Sequence, residues 1–201
     1  LCLKYQKKYE EAIEKLYKSA WNAAMQDNAC LHLAYINAVQ SNWQEVFELS
    51  LQSVYRNYNS LRVRHIHALA LRILGRVDDA IHFNQKTFEI DAFDFAAMFE
   101  MYKCRLNIGD LQEAERIIVA IKKLVNERSY TYIEMAIQYA DAGCYDEAIE
   151  FLSLFADTAT ELLTFYYLAY YESLRGNHHA SKEWLQKAFE CSPDKVFPNR
   201  I

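Results

Sequence analysis

The chain has 201 residues, a formal net charge of −5, and only 2 prolines and 4 glycines beside 15 tyrosines. Few helix breakers and no alternating strand pattern predict an almost entirely helical protein. No apolar run approaches the ~20 residues that a membrane-spanning helix needs. Mild acidity argues against nucleic acid, because its partners usually carry a basic stripe. We therefore expect neither membrane insertion nor nucleic-acid binding.

The five cysteines are scattered, with no close pairs, at Cys2, Cys30, Cys104, Cys144 and Cys191. Disulfide frameworks and zinc sites need clustered cysteines, so we expect reduced, half-buried thiols and no metal or cofactor. Such thiols suit a reducing compartment, and no signal segment opens the chain, which favours a cytoplasmic location. Leu1 is not an initiator methionine, so we expect a piece of a longer protein.

The first predicted element is one helix from residue 4 to about 22, with an apolar stripe of Tyr9, Ile13, Leu16 and Tyr17. It fits the second helix of a half repeat spanning residues 1–26. Five full helical hairpins are predicted to follow, and then a lead-out at 195–201. The hairpins are predicted at 27–60, 61–94, 95–128, 129–161 and 162–194.

A recurring sequence motif, a helix stop followed by a helix start, sets these boundaries. Gly109 can end a helix in the left-handed conformation, Asp110 is a good N-cap, and Glu113 stands where it can complete a capping box. Steps of 34 residues backward from Gly109 reach Gly75, Ser41 and Lys7, and one step forward reaches Gly143. A step of 33 then reaches Gly176. A fixed period of this size predicts a solenoid of helical hairpins.

Small residues share one register in the first helices and another in the second helices, which allows close helix crossing. The first set is Ala34, Ala68, Ala136 and Ala169, and the second is Ala12, Ala80, Ala114 and Ala148. Together with the period, the Gly143–Ala148 phrase and the Ala188–Pro193 ending, these registers resemble the tetratricopeptide repeat family. The resemblance implies an all-α fold, a right-handed α-α superhelix (solenoid) of tandem hairpins. Tyr102 in place of a small residue, His67 in place of leucine and Ser41 in place of glycine depart from the family pattern.

A second resemblance concerns Ser19–Ala24 and the end Phe197–Arg200. These segments are similar to the repeat region of large bacterial proteins, in which the array accompanies a β-rich domain of unknown function that is suspected to relate to carbohydrate processing. This resemblance implies an accessory role beside a domain outside the present chain.

No phosphate loop, nucleophile elbow or zinc-protease pattern occurs, so we expect no enzymatic activity of this chain. His65 and His67 are two apart and point to different sides of a helix. His178 and His179 lack a further converging donor. The acidic pairs Asp78–Asp79 and Asp146–Glu147 begin second helices, where negative charge complements the helix dipole.

In arrays of the family that the chain resembles, the first helices line the concave side. The exposed stripes on these helices predict a groove for a peptide or partner protein, with a basic patch from Arg62, Arg72 and Lys103 and an aromatic floor. The same residues could instead fill space within the superhelix or be covered by a neighbouring domain. The predicted groove residues are Asn28, Leu31, Tyr35, Arg62, His65, Leu69, Arg72, Phe99, Lys103, Tyr130, Ile133, Ile137, Tyr166 and Tyr170.

Three hypotheses for function follow. The first is a non-enzymatic scaffold that binds a peptide or partner protein along the concave face. The second is an accessory repeat module of a larger, carbohydrate-related enzyme, and the third is a structural spacer or self-association module. Apolar residues at the two ends predict self-association there, because solenoid ends need polar caps. These end residues are Tyr9, Ile13, Leu16, Phe197 and Ile201.

Overall fold

A computed structural model describes residues 1–125, 129–159 and 161–191. The described residues form twelve α-helices and one short 3₁₀-helix at Ala23–Met25, and they contain no strand. The helices are α1 (Cys2–Tyr5), α2 (Tyr9–Ser19), α3 (Gln26–Val39), α4 (Trp43–Arg56), α5 (Leu61–Ile73), α6 (Val77–Phe88), α7 (Phe95–Asn107), α8 (Leu111–Val125), α9 (Ser129–Asp141), α10 (Tyr145–Ser153), α11 (Leu162–Leu174) and α12 (His178–Glu190).

The chain forms two compact units, Leu1–Ile118 and Val119–Ile201, and the division falls within the sequence of α8. In the N-terminal unit, α3 packs on α4 and α5 packs on α6, while the first helices α3, α5 and α7 contact one another in sequence order. In the C-terminal unit, α9 packs on α10, α11 packs on α12, and the first helices α9 and α11 are in contact. Each unit is therefore built from consecutive helical hairpins, as the sequence predicts.

Each hairpin turn uses the same pair of backbone hydrogen bonds. At the end of α7, the Asp110 N–H donates to the Arg105 carbonyl (2.9 Å) and the Gly109 N–H donates to the Leu106 carbonyl (3.1 Å). This is the Schellman arrangement, which needs a left-handed residue after the helix. Gly109 accordingly has φ +78°. The same bonds close the turns at Lys7, Ser41, Gly75, Gly143 and Gly176.

The prediction of one helix from residue 4 to about 22 is wrong. The structure has two helices, α1 and α2, separated by a turn at Lys7, whose φ is +60°. The Lys8 N–H donates to the Leu3 carbonyl (2.9 Å), so this turn has the bonds of the later turns. The half repeat therefore includes the last turn of a first helix, and Lys7 occupies the turn position that the 34-residue period indicates.

The predicted capping box at α8 is half formed. The Glu113 N–H donates to Asp110 Oδ1 (3.2 Å), which confirms Asp110 as the N-cap. The reciprocal bond to the Asp110 N–H is replaced, because the Arg105 carbonyl already accepts from that group. The Glu113 carboxylate instead accepts from Arg116 Nη1 (3.3 Å). The turn and the capping box would thus both use the Asp110 N–H, and this group donates to the turn.

His67, which stands where the tetratricopeptide repeat pattern has leucine, is buried in the N-terminal unit. It is 3% exposed, and its Nδ1 shares a 2.9 Å hydrogen bond with Ser50 Oγ. Its ring lies between Phe47 and Phe83, with centroid distances of 5.0 and 4.7 Å. Burial, and then the positive charges of Arg76 and Arg64, lower the pKa of His67 from the usual 6.5 to about 4. The folded protein therefore holds this imidazole neutral.

The apolar residues near the N-terminal end of the chain differ in their exposure. Tyr9, Ile13 and Leu16 are half-buried, while Tyr17 and Trp21 are exposed, the latter to 87%. Phe197, Ile201 and the lead-out at 195–201 lie outside the described residues. Self-association through the ends stays a prediction.

We expect Gly109→Val to destabilise the protein by ~1 kcal/mol or more, because a β-branched residue strongly resists a left-handed backbone. Apart from Gly109 itself and its chain neighbours, no atom of the described residues lies within 4 Å of a Cβ built on Gly109, so the loss is conformational rather than steric. Ser41→Gly, at φ +62°, is the opposite change and should stabilise by about 0.5–1 kcal/mol. Urea unfolding followed by circular dichroism measures both. Ser41→Ala, which keeps the strain, is the control, and equal stability of Gly109→Val and wild type would contradict this account of the turn.

Acid should destabilise the protein through His67. Because the folded protein disfavours protonation of His67, its contribution is complete above pH 6.5 and is lost as pH falls from 6.5 towards 4. Between about pH 7.5 and about pH 5 the wild type should lose roughly 2 kcal/mol more stability than His67→Leu. Urea unfolding at a series of pH values measures this difference. Parallel pH profiles for the two proteins would show that His67 is not the titrating group.

Candidate binding surfaces

Most of the predicted stripe on α5 is not exposed. Arg62 is at the surface, whereas His65, Leu69 and Arg72 are 3%, 0% and 8% exposed. Helix α5 contacts α4, α6 and α7, so its residues from Val63 to Arg72 are buried on every side. The expectation that His65, Leu69 and Arg72 face a groove is therefore wrong in this structure.

Arg72 has an internal partner. Its Nε donates to Glu100 Oε2 (2.8 Å) and its Nη2 donates to Glu100 Oε1 (3.2 Å), joining α5 to α7. The Glu100 side chain is completely buried. Such forked pairs satisfy both ions and fix helix geometry. The predicted basic patch is thereby reduced to the exposed Arg62 and the half-buried Lys103.

The other predicted residues of the N-terminal unit are divided in the same way. Leu31, Tyr35 and Phe99 are buried, at 7%, 3% and 0% exposure. Lys4 Nζ lies 4.7 Å from the centroid of the Tyr35 ring, a cation–π geometry. Asn28 is exposed and lines a small cleft of about 230 Å³ between the N-terminal helices. The aromatic groups expected to form a groove floor here serve packing instead.

The C-terminal unit presents an aromatic surface on its first helices. Tyr130 on α9 is 53% exposed, and Tyr166 and Tyr170 on α11 are 39% and 58% exposed. We call these three residues the tyrosine surface. Ile137 is half-buried beside it, and Ile133 is buried at 5%. The two helices that carry these tyrosines, α9 and α11, are in contact.

The helices beneath the tyrosine surface are held together by buried groups. The hydroxyls of Tyr132 on α9 and Thr164 on α11 lie 3.0 Å apart and share a buried hydrogen bond. The Tyr132 ring stacks on Phe155 with a centroid distance of 4.5 Å and an interplanar angle of 7°. Burial raises the pKa of Tyr132 and of Tyr171, so both phenols are neutral. These buried contacts fix the two helices that carry the exposed tyrosines.

Sequence reasoning missed two clefts of the N-terminal unit. One, of about 770 Å³, lies at the α3–α4 turn and is lined by Tyr17, Trp43 and Leu74 among others. The other, of about 340 Å³, contains Met98 and Met101 and lies between α6, α7 and α8. Second helices and turns contribute residues to both clefts, whereas the prediction considered only the first helices. Trp43 at the start of α4 was the available signal for the first cleft.

The chemistry of the described residues is limited. No group of three or more His, Cys, Asp or Glu side chains among them could hold a metal ion. Burial, and then the charge of Glu100, raise the pKa of Cys104 to about 12, so this thiol is inert at neutral pH. Within the described ranges, every helix is too short or too polar to cross a bilayer.

Comparisons with known proteins address the fold. The structure of PilW, a widely conserved type IV pilus biogenesis factor, aligns with a TM-score of 0.57 and 16% identity, covering 95% of this chain and 90% of PilW. A MamA double mutant (RS-1) aligns with a TM-score of 0.48 and 15% identity, covering 82% of this chain and 93% of MamA. No protein-family model and no curated protein matches.

At 16% identity, the likeness to PilW concerns architecture only. The likeness to PilW and the all-helical structure confirm the predicted fold class, tandem hairpins of the tetratricopeptide type. The comparisons give no support to the alternative of an accessory module of a carbohydrate-related enzyme.

The Arg72–Glu100 pair yields a stability prediction. Glu100→Gln should destabilise the protein by ~3 kcal/mol, because it leaves a buried guanidinium without its counter-ion. The double change Arg72→Met with Glu100→Leu should recover most of that loss, since it removes both buried charges. Asp79→Asn, which breaks the exposed Arg76–Asp79 pair, is the matched control and should cost less than ~1 kcal/mol. Equal losses for Glu100→Gln and Asp79→Asn in urea unfolding would contradict a buried, structural pair.

Proposed function

We propose that this chain is a non-enzymatic interaction scaffold that binds a peptide or a partner protein on the first helices of its hairpins. The observation that carries the proposal is the tyrosine surface. Tyr130, Tyr166 and Tyr170 are exposed on two contacting first helices, whereas most predicted groove residues of the N-terminal unit are buried.

Physical reasons favour these tyrosines as binding residues. An exposed tyrosine supplies a large contact area and loses little conformational entropy on binding, because it has only two side-chain torsions. Aromatic residues are also enriched among the side chains that dominate interface energy. The hydrogen-bonded, stacked base under α9 and α11 keeps the surface preorganised, which lowers the entropic cost of association. An open surface of this kind suits micromolar affinity.

Panning a phage-displayed random peptide library on the immobilised chain tests the proposal. The wild type should retain peptides that the Tyr166→Ala, Tyr170→Ala double variant does not retain. Tyr55→Ala is the matched control, because Tyr55 is 81% exposed but lies on α4, a second helix of the N-terminal unit. Circular dichroism and urea unfolding must first show that each variant is folded.

Two results would contradict the proposed binding site. If the folded double variant retains the same peptides as the wild type and the Tyr55→Ala control, the tyrosine surface is not the binding site. Peptides lost with Tyr55→Ala instead would place binding on the second helices.

A further inference from the structure

The cleft between α6, α7 and α8 has an apolar interior, and we call it the methionine cleft. Among its lining residues Met101 is buried, and Phe88, Met98 and Ile117 are half-buried. Its volume of about 340 Å³ lies within the range of small-molecule pockets, roughly 300–1,000 Å³. Methionine is flexible and polarizable, so two methionines adapt to the shape of a bound group. The cleft therefore has the size and the lining of a site for a small apolar molecule.

Two charged side chains line the methionine cleft, and each has a partner of opposite charge. Arg105 Nη1 lies 3.5 Å from Asp110 Oδ2, and Glu113 Oε2 lies 3.3 Å from Arg116 Nη1. The remaining polar residue of the lining, Gln85, is an uncharged amide. An ionic ligand would lose its hydration in the cleft without meeting a net opposite charge there. The matched charges therefore favour an uncharged occupant over an anion or a cation.

The guanidinium of Arg105 has donors that the described residues leave unused. A guanidinium carries five N–H donors, yet the described contact of this group is the long one with Asp110. Its Nε is buried and has no acceptor among the described residues. A buried donor without an acceptor costs free energy. An occupant that places an oxygen against this guanidinium thus gains a charge-assisted hydrogen bond.

We propose that the methionine cleft binds a small uncharged molecule that has an aromatic or branched aliphatic body and one carbonyl acceptor. The body lies among Phe88, Met98, Met101 and Ile117, where it buries apolar area and where methionine sulfur contacts a ring favourably. The carbonyl oxygen accepts from the Arg105 guanidinium. This inference does not rest on the proposed function, because none of these residues belongs to the tyrosine surface.

The test follows the methyl signals of the four methionines in the full chain, labelled at the methionine methyl group, by heteronuclear NMR. Phenylacetamide, which joins one ring to an uncharged carbonyl group, should shift the signals of Met98 and Met101 saturably. For a ligand of this size we expect a dissociation constant of ~1 mM. Met25 and Met135 do not line the cleft, so their signals are internal controls.

Related probes separate the effects of charge and of the carbonyl acceptor. Phenylacetate and phenylethylammonium carry the same ring with a charge, and each should bind at least about fivefold more weakly than phenylacetamide. Arg105→Met should weaken phenylacetamide about fivefold and leave toluene, which has no acceptor, unchanged. A merely structural role of Arg105 would weaken both probes. Arg56→Met, at an exposed site on α4, is the matched control and should change neither.

A second variant blocks the methionine cleft. Ala92 is exposed and lines the cleft, so Ala92→Phe should fill it without disturbing buried packing. No probe should then shift Met98 or Met101. Ala23→Phe, at an exposed alanine outside the cleft, is the matched control and should bind as the wild type does. Circular dichroism and urea unfolding must first show that each variant is folded.

Three results would overturn this inference. The first is the absence of a saturable shift of Met98 and Met101 with every probe. The second is binding of phenylacetate as tight as that of phenylacetamide, which would indicate an anion site. The third is unchanged binding of phenylacetamide to folded Ala92→Phe or to folded Arg105→Met. Each of these results leaves the proposed function standing, because peptide panning tests the tyrosine surface separately.

Discussion

One backbone conformation, repeated every 33 or 34 residues, determines the architecture of this protein. At each hairpin turn a residue with positive φ lets the next N–H reach back across the end of the first helix and satisfy a carbonyl that would otherwise be exposed. The reversal is tight, so the second helix packs against the first, and the small residues of both helices are buried. Four of the six turns use glycine, whereas Lys7 and Ser41 adopt the same conformation with a side chain. The bonds are the same in all six, so the turn geometry is kept even where the residue resists it.

This dependence on a local feature explains how much of the fold could be predicted from the sequence. A left-handed turn followed by an N-cap is encoded within a few consecutive residues, as at Gly109 and Asp110, and its repetition gives the period. The one helix predicted incorrectly shows the limit of the same reasoning. Lys7 lies in register with the other turns, but lysine is a good helix former, and its local preference masked the turn that its position in the period indicated. Where local preference and periodicity disagree in this chain, the structure follows the periodicity.

Exposure could not be predicted in the same way, because it depends on what other helices place opposite a residue. Arg72 reads as a surface cation within α5, and its spacing from Arg62 fits a solvent-facing stripe. The carboxylate that pairs with it, Glu100, stands 28 residues later on a different helix. His67 likewise finds Ser50 on the preceding hairpin. Spacing within one helix contains no information on such partners. Of the predicted stripe, Arg62, Tyr166 and Tyr170 are exposed, whereas His65, Leu69 and Phe99 are buried.

The first helices of the two units therefore differ in the side chains that they bury. In α5, cationic side chains are used for internal contacts: Arg64, 1% exposed, donates from Nε to Thr87 Oγ1 at 2.9 Å and lies 4.4 Å from the Phe83 ring centroid. Each buried cation needs such partners, because desolvation without them is costly. In the C-terminal unit the Tyr132–Thr164 hydrogen bond and the stacked rings of Tyr132 and Phe155 are buried, and so is Glu172, whereas Tyr130, Tyr166 and Tyr170 are exposed. The proposed binding site therefore rests on these exposed tyrosines and not on the arginine-rich helix that the sequence first suggests.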